Sequence, residues 1–149
     1  MVICAGVAPA HALALKPWAT VNVCDTADHP DTIGVRGSQP GSSKGEQLFM
    51  RMRVQYLDES DNEWLYIGAK ADSGFFGVGN GNVRRRQGGR NFTVRPPSKG
   101  TYVLRGIVDY EWRKGSTVVR RAQRRTRRGH PDTPGADPKN YTAETCKVS

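Results

Sequence analysis

The residues best suited to chemistry in this sequence are arginines, which gather in two stretches. One stretch lies within residues 84–95 and the other within residues 113–128. The planar guanidinium group forms paired hydrogen bonds with phosphate, sulfate and carboxylate groups, and a dense positive field attracts polyanions. The sequence therefore predicts a polyanion-binding surface made of Arg84, Arg85, Arg86, Arg90, Arg120, Arg121, Arg124, Arg125, Arg127 and Arg128.

The overall charge points to the same class of partner. The 149-residue chain has a formal net charge of +9, which favours an anionic polymer such as cell-wall polymer, acidic polysaccharide or DNA. The sequence contains no recognition-helix, zinc-finger or RNA-binding aromatic pattern, so we expect no sequence-specific nucleic-acid binding. The alternative interpretation is a solvated basic face that reflects an arginine-rich genome.

Residues suited to catalysis are few. Asp109 and Glu111 share one strand parity at about 7 Å, a spacing that suits a carboxylate pair. Arg105 and Arg113 on the same parity favour ordinary cross-strand ion pairs instead. His130 lies beside a proline in a loop, and no serine has the surroundings of a nucleophile elbow. We therefore expect no enzymatic activity, and a hydrolase is the weakest alternative.

Two further stretches have the composition of ligand sites. Residues 25–31 (DTADHPD) offer carboxylates of the kind that Ca²⁺ prefers, but their spacing does not match an EF-hand, and such residues also form turns. The glycine-rich residues 74–81 lack the spacing of a phosphate loop, so their glycines are expected at bulges and turns. We expect no metal and no cofactor. An exposed Phe75 or Phe76 beside the arginines would stack on a sugar or a base.

The N-terminal segment predicts export. Residues 1–14 (MVICAGVAPAHALA) contain no Lys, Arg, Asp or Glu and end in small-x-small patterns, which are features of a secretory signal peptide. The basic n-region is missing, so we expect the translation start to lie upstream of Met1. The alternative is the apolar N-terminus of a cytosolic protein. The expected location is secreted or associated with the cell envelope.

Two cysteines follow this segment, Cys24 and Cys146. An even number of cysteines in an exported chain predicts a disulfide bond, which here would close nearly the whole domain. Two free buried thiols are the alternative. Their spacing does not suit zinc, which requires close pairs of ligands.

Strands must position these residues, because no long stretch has helical periodicity. Residues 102–112 alternate strongly, Lys114-Gly115 turns the chain, and residues 116–122 return, which predicts a long β-hairpin. We predict further strands at 18–24, 46–56, 64–69, 90–95 and 141–148, an edge strand at 32–36, and a glycine-rich loop at 71–89. About seven or eight strands over residues 15–149 predict one all-β domain, an antiparallel β-sandwich closed by a disulfide.

Two aromatic residues resemble a known pattern. Trp64 follows strand 46–56, and Tyr102 opens the longest strand, much as in immunoglobulin and fibronectin type III domains. The resemblance implies an immunoglobulin-like sandwich. Cys24 and Cys146 flank the domain instead of joining its second and sixth strands, which excludes an antibody-type domain.

The whole mature chain is also similar to small exported proteins of high-GC Gram-positive bacteria. This second resemblance implies export, and it transfers no catalytic residues. It rests on residues 18–41 (WATVNVCDTADHPDTIGVRGSQPG) and on Gly129-His130, Asp137-Pro138 and Cys146 near the end.

Together these features predict a secreted, non-catalytic and monomeric binding module whose arginine-rich face contacts an extracellular polyanion. The first alternative is a protein–protein adaptor or a structural domain of the cell envelope. Its partner, an envelope protein, would contact the glycine-rich stretch and the aromatic residues. No segment suited to crossing a membrane is apparent in the sequence.

Overall fold

The computed structural model describes residues 15–42 and 45–149, and the predicted signal peptide over residues 1–14 lies outside them. The described residues form nine strands and one short 3₁₀-helix, Ala69–Ala71, and contain no helix long and apolar enough to cross a membrane. The strands are β1 (Trp18–Cys24), β2 (Thr32–Pro40), β3 (Gln47–Asp58), β4 (Glu63–Tyr66), β5 (Asp72–Asn80), β6 (Arg85–Thr93), β7 (Tyr102–Lys114), β8 (Thr117–Arg125) and β9 (Cys146–Val148).

These strands form two antiparallel sheets that pack together, which confirms the predicted all-β sandwich. The smaller sheet has the order β1-β2-β6. The larger sheet has the order β4-β3-β7-β8, with β5 also paired to β3 and β9 also paired to β7. The predicted long hairpin is β7–β8, and its strands pair from Ile107 opposite Arg125 to Lys114 opposite Thr117.

The core lies between the inner faces of the two sheets. Alternate residues of β3 from Leu48 to Val54 are fully buried, and the register places them opposite the buried alternate residues of β7. Val35 of β2 and Val21 of β1 close the core from the smaller sheet. The period of two in the sequence follows from this one-sided burial, because successive strand residues point to opposite faces.

Two buried aromatic side chains of β7 connect the sheets through hydrogen bonds. The Tyr110 hydroxyl donates to the backbone oxygen of Trp18 at 2.5 Å, and the Trp112 indole N–H donates to the backbone oxygen of Pro40 at 2.8 Å. Burial raises the pKa of Tyr110, so its hydroxyl remains a hydrogen-bond donor. These bonds satisfy polar groups that the core keeps from water.

The predicted disulfide is present. Cys24 at the end of β1 is bonded to Cys146 at the start of β9, with 5.4 Å between their Cα atoms. The bond therefore joins the smaller sheet to the larger sheet at one end of the sandwich.

Two predictions about strand positions were wrong. The short edge strand at residues 32–36 is β2, a nine-residue strand at the centre of the smaller sheet. The glycine-rich loop at 71–89 contains β5 and the start of β6. Pairing with neighbouring strands outweighs the weak strand propensity of glycine here, and the irregular β3–β5 register accommodates the glycines.

The C-terminal arm, residues 126–143, contacts the face and edge of β1. The Asn22 side-chain amide donates to the Thr133 hydroxyl at 3.2 Å, and the Thr20 and Thr142 hydroxyls are 2.6 Å apart. Val21 and Ala143 exchange two backbone hydrogen bonds. Residues of both parities in β1 are consequently buried.

Gly106 in β7 provides a test of how closely the sheets approach. A Cβ atom at this position would lie 2.7 Å from Cγ2 of Val35. Gly106→Ala should lower the free energy of unfolding by about 1–3 kcal/mol through overpacking, as measured by urea denaturation. Gly77→Ala is the matched control, because its Cβ would meet only Cε1 of Phe49 at 3.7 Å. Equal losses of stability in both variants would contradict the close approach.

Reduction of the disulfide should strongly destabilise the fold. The two cysteines are 122 residues apart, and the chain-entropy model gives a contribution of about 5 kcal/mol for a loop of this size. Urea denaturation with and without dithiothreitol measures this difference. The Cys24→Ala/Cys146→Ala variant is the control and should be insensitive to the reductant. A loss below about 1 kcal/mol in the unsubstituted protein would refute the structural role of the bond.

Candidate polyanion-binding surface

The candidate arginines lie on edge strands of different sheets. The first group belongs to β6, at one edge of the smaller sheet, and to the residue before it. The second group belongs to β8, at an edge of the larger sheet, and to the residues after it. The first group is Arg84, Arg85, Arg86 and Arg90, and the second is Arg120, Arg121, Arg124, Arg125, Arg127 and Arg128.

The two groups meet at one end of the sandwich, around residues 15–17. Arg85 donates to the backbone oxygen of Lys16 at 2.6 Å and to the Ser38 hydroxyl at 3.1 Å. Arg84 lines a groove that includes Leu15, and Arg120 lines a neighbouring groove that includes both Leu15 and Lys16. No acidic residue is among the described residues that line these grooves, and the nearby Glu46 carboxylate accepts a hydrogen bond from Ser42. We call Lys16, Arg84, Arg85 and Arg120, together with Arg124, Arg127 and Arg128, the arginine end.

The chain after β8 leads back toward this end. The backbone N–H of Arg127 donates to the oxygen of Ala19 at 2.9 Å, next to the start of β1. Arg124 and Arg85 are both close enough to Tyr110 to oppose the rise in its pKa that burial causes. Arg124, Arg127 and Arg128 therefore extend the positive charge of the arginine end along the edge of β1.

Four of the candidate arginines do not join the arginine end, because they contact other parts of the surface. Arg86 donates to the backbone oxygen of Asn80 at 2.7 Å, in the turn between β5 and β6, and Arg90 stacks over the ring of Phe76 at 3.6 Å. Arg121 and Arg125 lie on the opposite side of β8 from Arg120 and Arg124, on the outer face of the larger sheet. The ten arginines therefore do not form one continuous face.

The outer face of the larger sheet holds arginines of a different kind, which are paired with carboxylates. Arg51 forms two hydrogen bonds with Asp72, at 2.9 and 2.5 Å. Arg53 lies 2.7 Å from Asp109. Arg113 lies 2.9 Å from Glu111, and Arg121 lies 3.8 Å from the same carboxylate. Three carboxylates thus neutralise part of the charge on this face.

On the same outer face, several arginine side chains stack on aromatic rings. Arg105 lies over Trp64 and Arg53 over Tyr66, both at 4.3 Å from the ring centroid. Arg113 lies over Phe49 at 3.9 Å and is 5.1 Å from the ring of Phe75. Such contacts order the guanidinium groups and cover part of the rings.

Ion pairing therefore separates the arginines into two classes. Among the residues that the structure describes, Arg121 is the only candidate arginine in an ion pair with a carboxylate. Arg84, Arg127 and Arg128 are exposed and have no side-chain partner in the described part of the chain. Their charge is available to an external anion.

The acidic residues considered for catalysis are structural partners. Asp109 accepts hydrogen bonds from Arg53 of β3 and from Gln123 of β8, the latter at 2.6 Å. Glu111 pairs with Arg113 of its own strand and with Arg121 of β8. The predicted cross-strand pairing of Arg105 and Arg113 was wrong, because Arg113 pairs within β7 and Arg105 donates to Gln55 instead. His130 stacks on Trp18 with ring centroids 3.9 Å apart. Burial and the nearby Arg85 lower the pKa of His130.

The acidic loop 25–31 is closed by hydrogen bonds to the C-terminal arm. His29 Nδ1 lies 2.8 Å from Asp137, and the Thr26 hydroxyl donates to the same carboxylate. Asp25 accepts the backbone N–H of Asp31 at 2.8 Å. Within residues 15–42 and 45–149, no group of three or more His, Cys, Asp or Glu side chains is placed to hold a metal ion.

One member of the arginine end was missed by sequence analysis. Lys16 is a single lysine in a Lys-Pro-Trp stretch before β1, and its position next to Arg85 depends on contacts between segments far apart in the chain. The only signal available in the sequence was a basic residue directly beside the predicted first strand.

The Arg51–Asp72 ion pair should make the free energy of unfolding depend on pH in the acidic range. Hydrogen bonds from Arg51 lower the pKa of the Asp72 carboxyl from 3.8 to about 2. The carboxylate therefore contributes stability that is fully present above its unfolded pKa and is lost as the pH falls through about 2. Asp72→Asn should lower the free energy of unfolding near pH 7, and this deficit should shrink as the pH falls toward about 2.

Urea denaturation across this pH range measures the Asp72→Asn effect. Asp61→Asn is the matched control, because Asp61 lies in the exposed turn between β3 and β4 and should change stability by less than about 0.5 kcal/mol. A deficit of Asp72→Asn that stays constant with pH would contradict the role of this ion pair.

Comparison with known proteins identifies no relative: no protein-family model, no curated protein and no solved structure matches this chain.

Proposed function

We propose that this chain is a secreted, non-catalytic binding module that contacts an extracellular polyanion through the arginine end. The observation that supports this most directly is the unequal pairing of the arginines. Arg51, Arg53 and Arg113 on the outer face of the larger sheet pair with Asp72, Asp109 and Glu111. Arg84, Arg127 and Arg128 are instead exposed and unpaired in the described part of the chain.

Unpaired guanidinium groups favour a polymeric anion for a physical reason. Each contact with a phosphate or sulfate releases counterions from the polymer, so several contacts together give strong binding at low salt. Cell-wall polymer, acidic polysaccharide and DNA all offer such repeated charges. Lys16 and Arg120 add to the same positive field, and no acidic residue lines the grooves beside them.

Two features support the immunoglobulin-like and exported character of the module. The orders β1-β2-β6 and β3-β7-β8 correspond to the A-B-E and C-F-G orders of that class of sandwich. The disulfide between Cys24 and Cys146 suits an oxidising compartment. The buried tryptophan, however, is Trp112 of β7, whereas Trp64 lies under Arg105 on the outer face.

Salt-dependent binding tests the proposal. The oxidised chain is titrated against a fluorescein-labelled DNA duplex, heparin and poly(glycerol phosphate), from about 50 to 200 mM salt. Arg84→Gln/Arg127→Gln/Arg128→Gln should weaken binding to the preferred polymer. For DNA, the slope of log K against log salt should become shallower by about 2 to 3, since each lost phosphate contact removes about 0.9.

A charge-matched control variant distinguishes the loss of a specific binding site from the loss of net charge. Lys99→Gln/Lys139→Gln/Lys147→Gln removes the same charge from exposed positions outside the arginine end. This control should keep most of the original slope. If both triple variants change binding equally, the arginine end is not the site. If the unsubstituted chain binds none of the three polymers at about 50 mM salt, the polyanion proposal is wrong.

The second candidate is a protein–protein adaptor or structural domain of the envelope. Tyr66 and Phe75 are aromatic residues of β4 and β5 that remain exposed on the outer face of the larger sheet. Aromatic and arginine side chains are enriched at protein interfaces, and both occur on this side of the larger sheet. An interface centred there should depend weakly on salt, which distinguishes it from polyanion binding.

A further inference from the structure

A cleft of 510 Å³ opens at the end of the sandwich opposite the arginine end. Tyr56 at the end of β3 and Tyr102 at the start of β7 line one part of it, and Val94 after β6 lines another. The disulfide lies at this same end, because Cys146 pairs with Leu104. The volume falls within the range of roughly 300–1,000 Å³ that is typical of small-molecule sites.

More of the cleft wall is apolar than polar. Ile67, Ala71 and Val94 line it, and the rings of Tyr56 and Tyr102 have centroids 5.6 Å apart with an angle of 48° between their planes. Two rings tilted at this separation can contact a flat apolar group both face to face and edge to face. The two tyrosines are only half-buried, so a ligand can reach them.

The charged residues of the cleft all have the same sign. Lys70 and Arg95 line it, both side chains are exposed, and no acidic residue is among the lining residues. Neither cation forms an ion pair with a described residue. The hydroxyls of Tyr56 and Tyr102 likewise have no hydrogen-bond partner in the described part of the chain. Two unpaired cations and two free hydroxyls thus surround an apolar interior.

We propose that this cleft binds a small amphipathic carboxylate with a flat ring system. The ring system lies against Tyr56 and Tyr102, and the carboxylate lies at the mouth, where it accepts hydrogen bonds from Lys70 and Arg95. Charge-assisted hydrogen bonds of this kind are stronger than those between neutral groups. Burial of the ring system supplies the apolar contribution to affinity.

This site is separate from the proposed polyanion surface. In the β2–β6 pairing, Arg85 lies opposite Pro40 at one end, whereas Thr93, which lines the cleft, lies opposite Thr32 at the other. Eight residues of extended strand separate the two ends by about 26 Å. A small ligand cannot bridge that distance, so each site can be tested without the other.

The test uses 2-naphthoate and its neutral isostere 2-naphthamide as probes of the oxidised chain. Each probe is titrated while ¹H–¹⁵N spectra are recorded. We expect saturable shifts at the amides of Ile67, Ala71 and Val94, and affinity for naphthoate at least about fivefold higher than for naphthamide. Equal affinity for the two probes, or no saturable binding of naphthoate, would overturn the proposal.

Two variants that each remove two positive charges show where the naphthoate carboxylate binds. Lys70→Gln/Arg95→Gln should reduce the preference for naphthoate over naphthamide to less than about twofold and leave polymer binding unchanged. Arg127→Gln/Arg128→Gln should keep the naphthoate affinity and weaken polymer binding. If naphthoate binding is instead lost in the second variant and kept in the first, the carboxylate binds at the arginine end and the proposed cleft site is wrong.

Discussion

The polar ends of two buried aromatic side chains determine how the sheets face each other. Tyr110 and Trp112 lie on the inner face of the larger sheet and are buried in the core. Each carries a hydrogen-bond donor that cannot reach water there. Their acceptors are the backbone oxygens of Trp18 and Pro40 in the smaller sheet. Displacing one sheet along the other would leave both donors buried and unpaired, which is costly. The position of residues 15–17, and with it the arginine end, depends on this arrangement.

The carboxylates of the chain are distributed unevenly, and this distribution produces the two kinds of positive surface. Asp72, Asp109 and Glu111 all lie on the outer face of the larger sheet, where arginines of neighbouring strands, and Arg113 of the same strand as Glu111, lie beside them. Acidic residues also gather at the disulfide end, in loop 25–31 and in turn 58–63, whereas none is among the described residues that line the two grooves at the arginine end. At the arginine end, Arg84, Arg127 and Arg128 therefore carry charge that no described side chain neutralises. Position relative to these carboxylates, and not the abundance of arginine, distinguishes the candidate binding residues.

The elements predicted from the sequence are those determined by short stretches of the chain or by a unique pair of residues. The β7–β8 hairpin has strict alternation and a Lys-Gly turn, and Cys24 and Cys146 were the only cysteines available after residue 14. Strand β5 was missed because its glycines suit turns equally well, and only pairing with β3 determines their conformation. The set of arginines was predicted as one surface, but neighbouring residues such as Arg120 and Arg121 point to opposite faces of β8. The cleft was not foreseen, since its lining residues come from segments far apart in the chain.

The C-terminal arm has a consequence for association with other chains. Backbone hydrogen bonds from Arg127, Ala143 and Asp137 occupy the edge of β1 at Ala19, Val21 and Asn22. An edge strand with free peptide groups is a template on which a strand from another molecule can add. Here the chain itself supplies the partner along most of that edge. Strand addition at β1, and the fibrous aggregation that can follow from it, is thereby blocked without a charged or proline residue inside the strand.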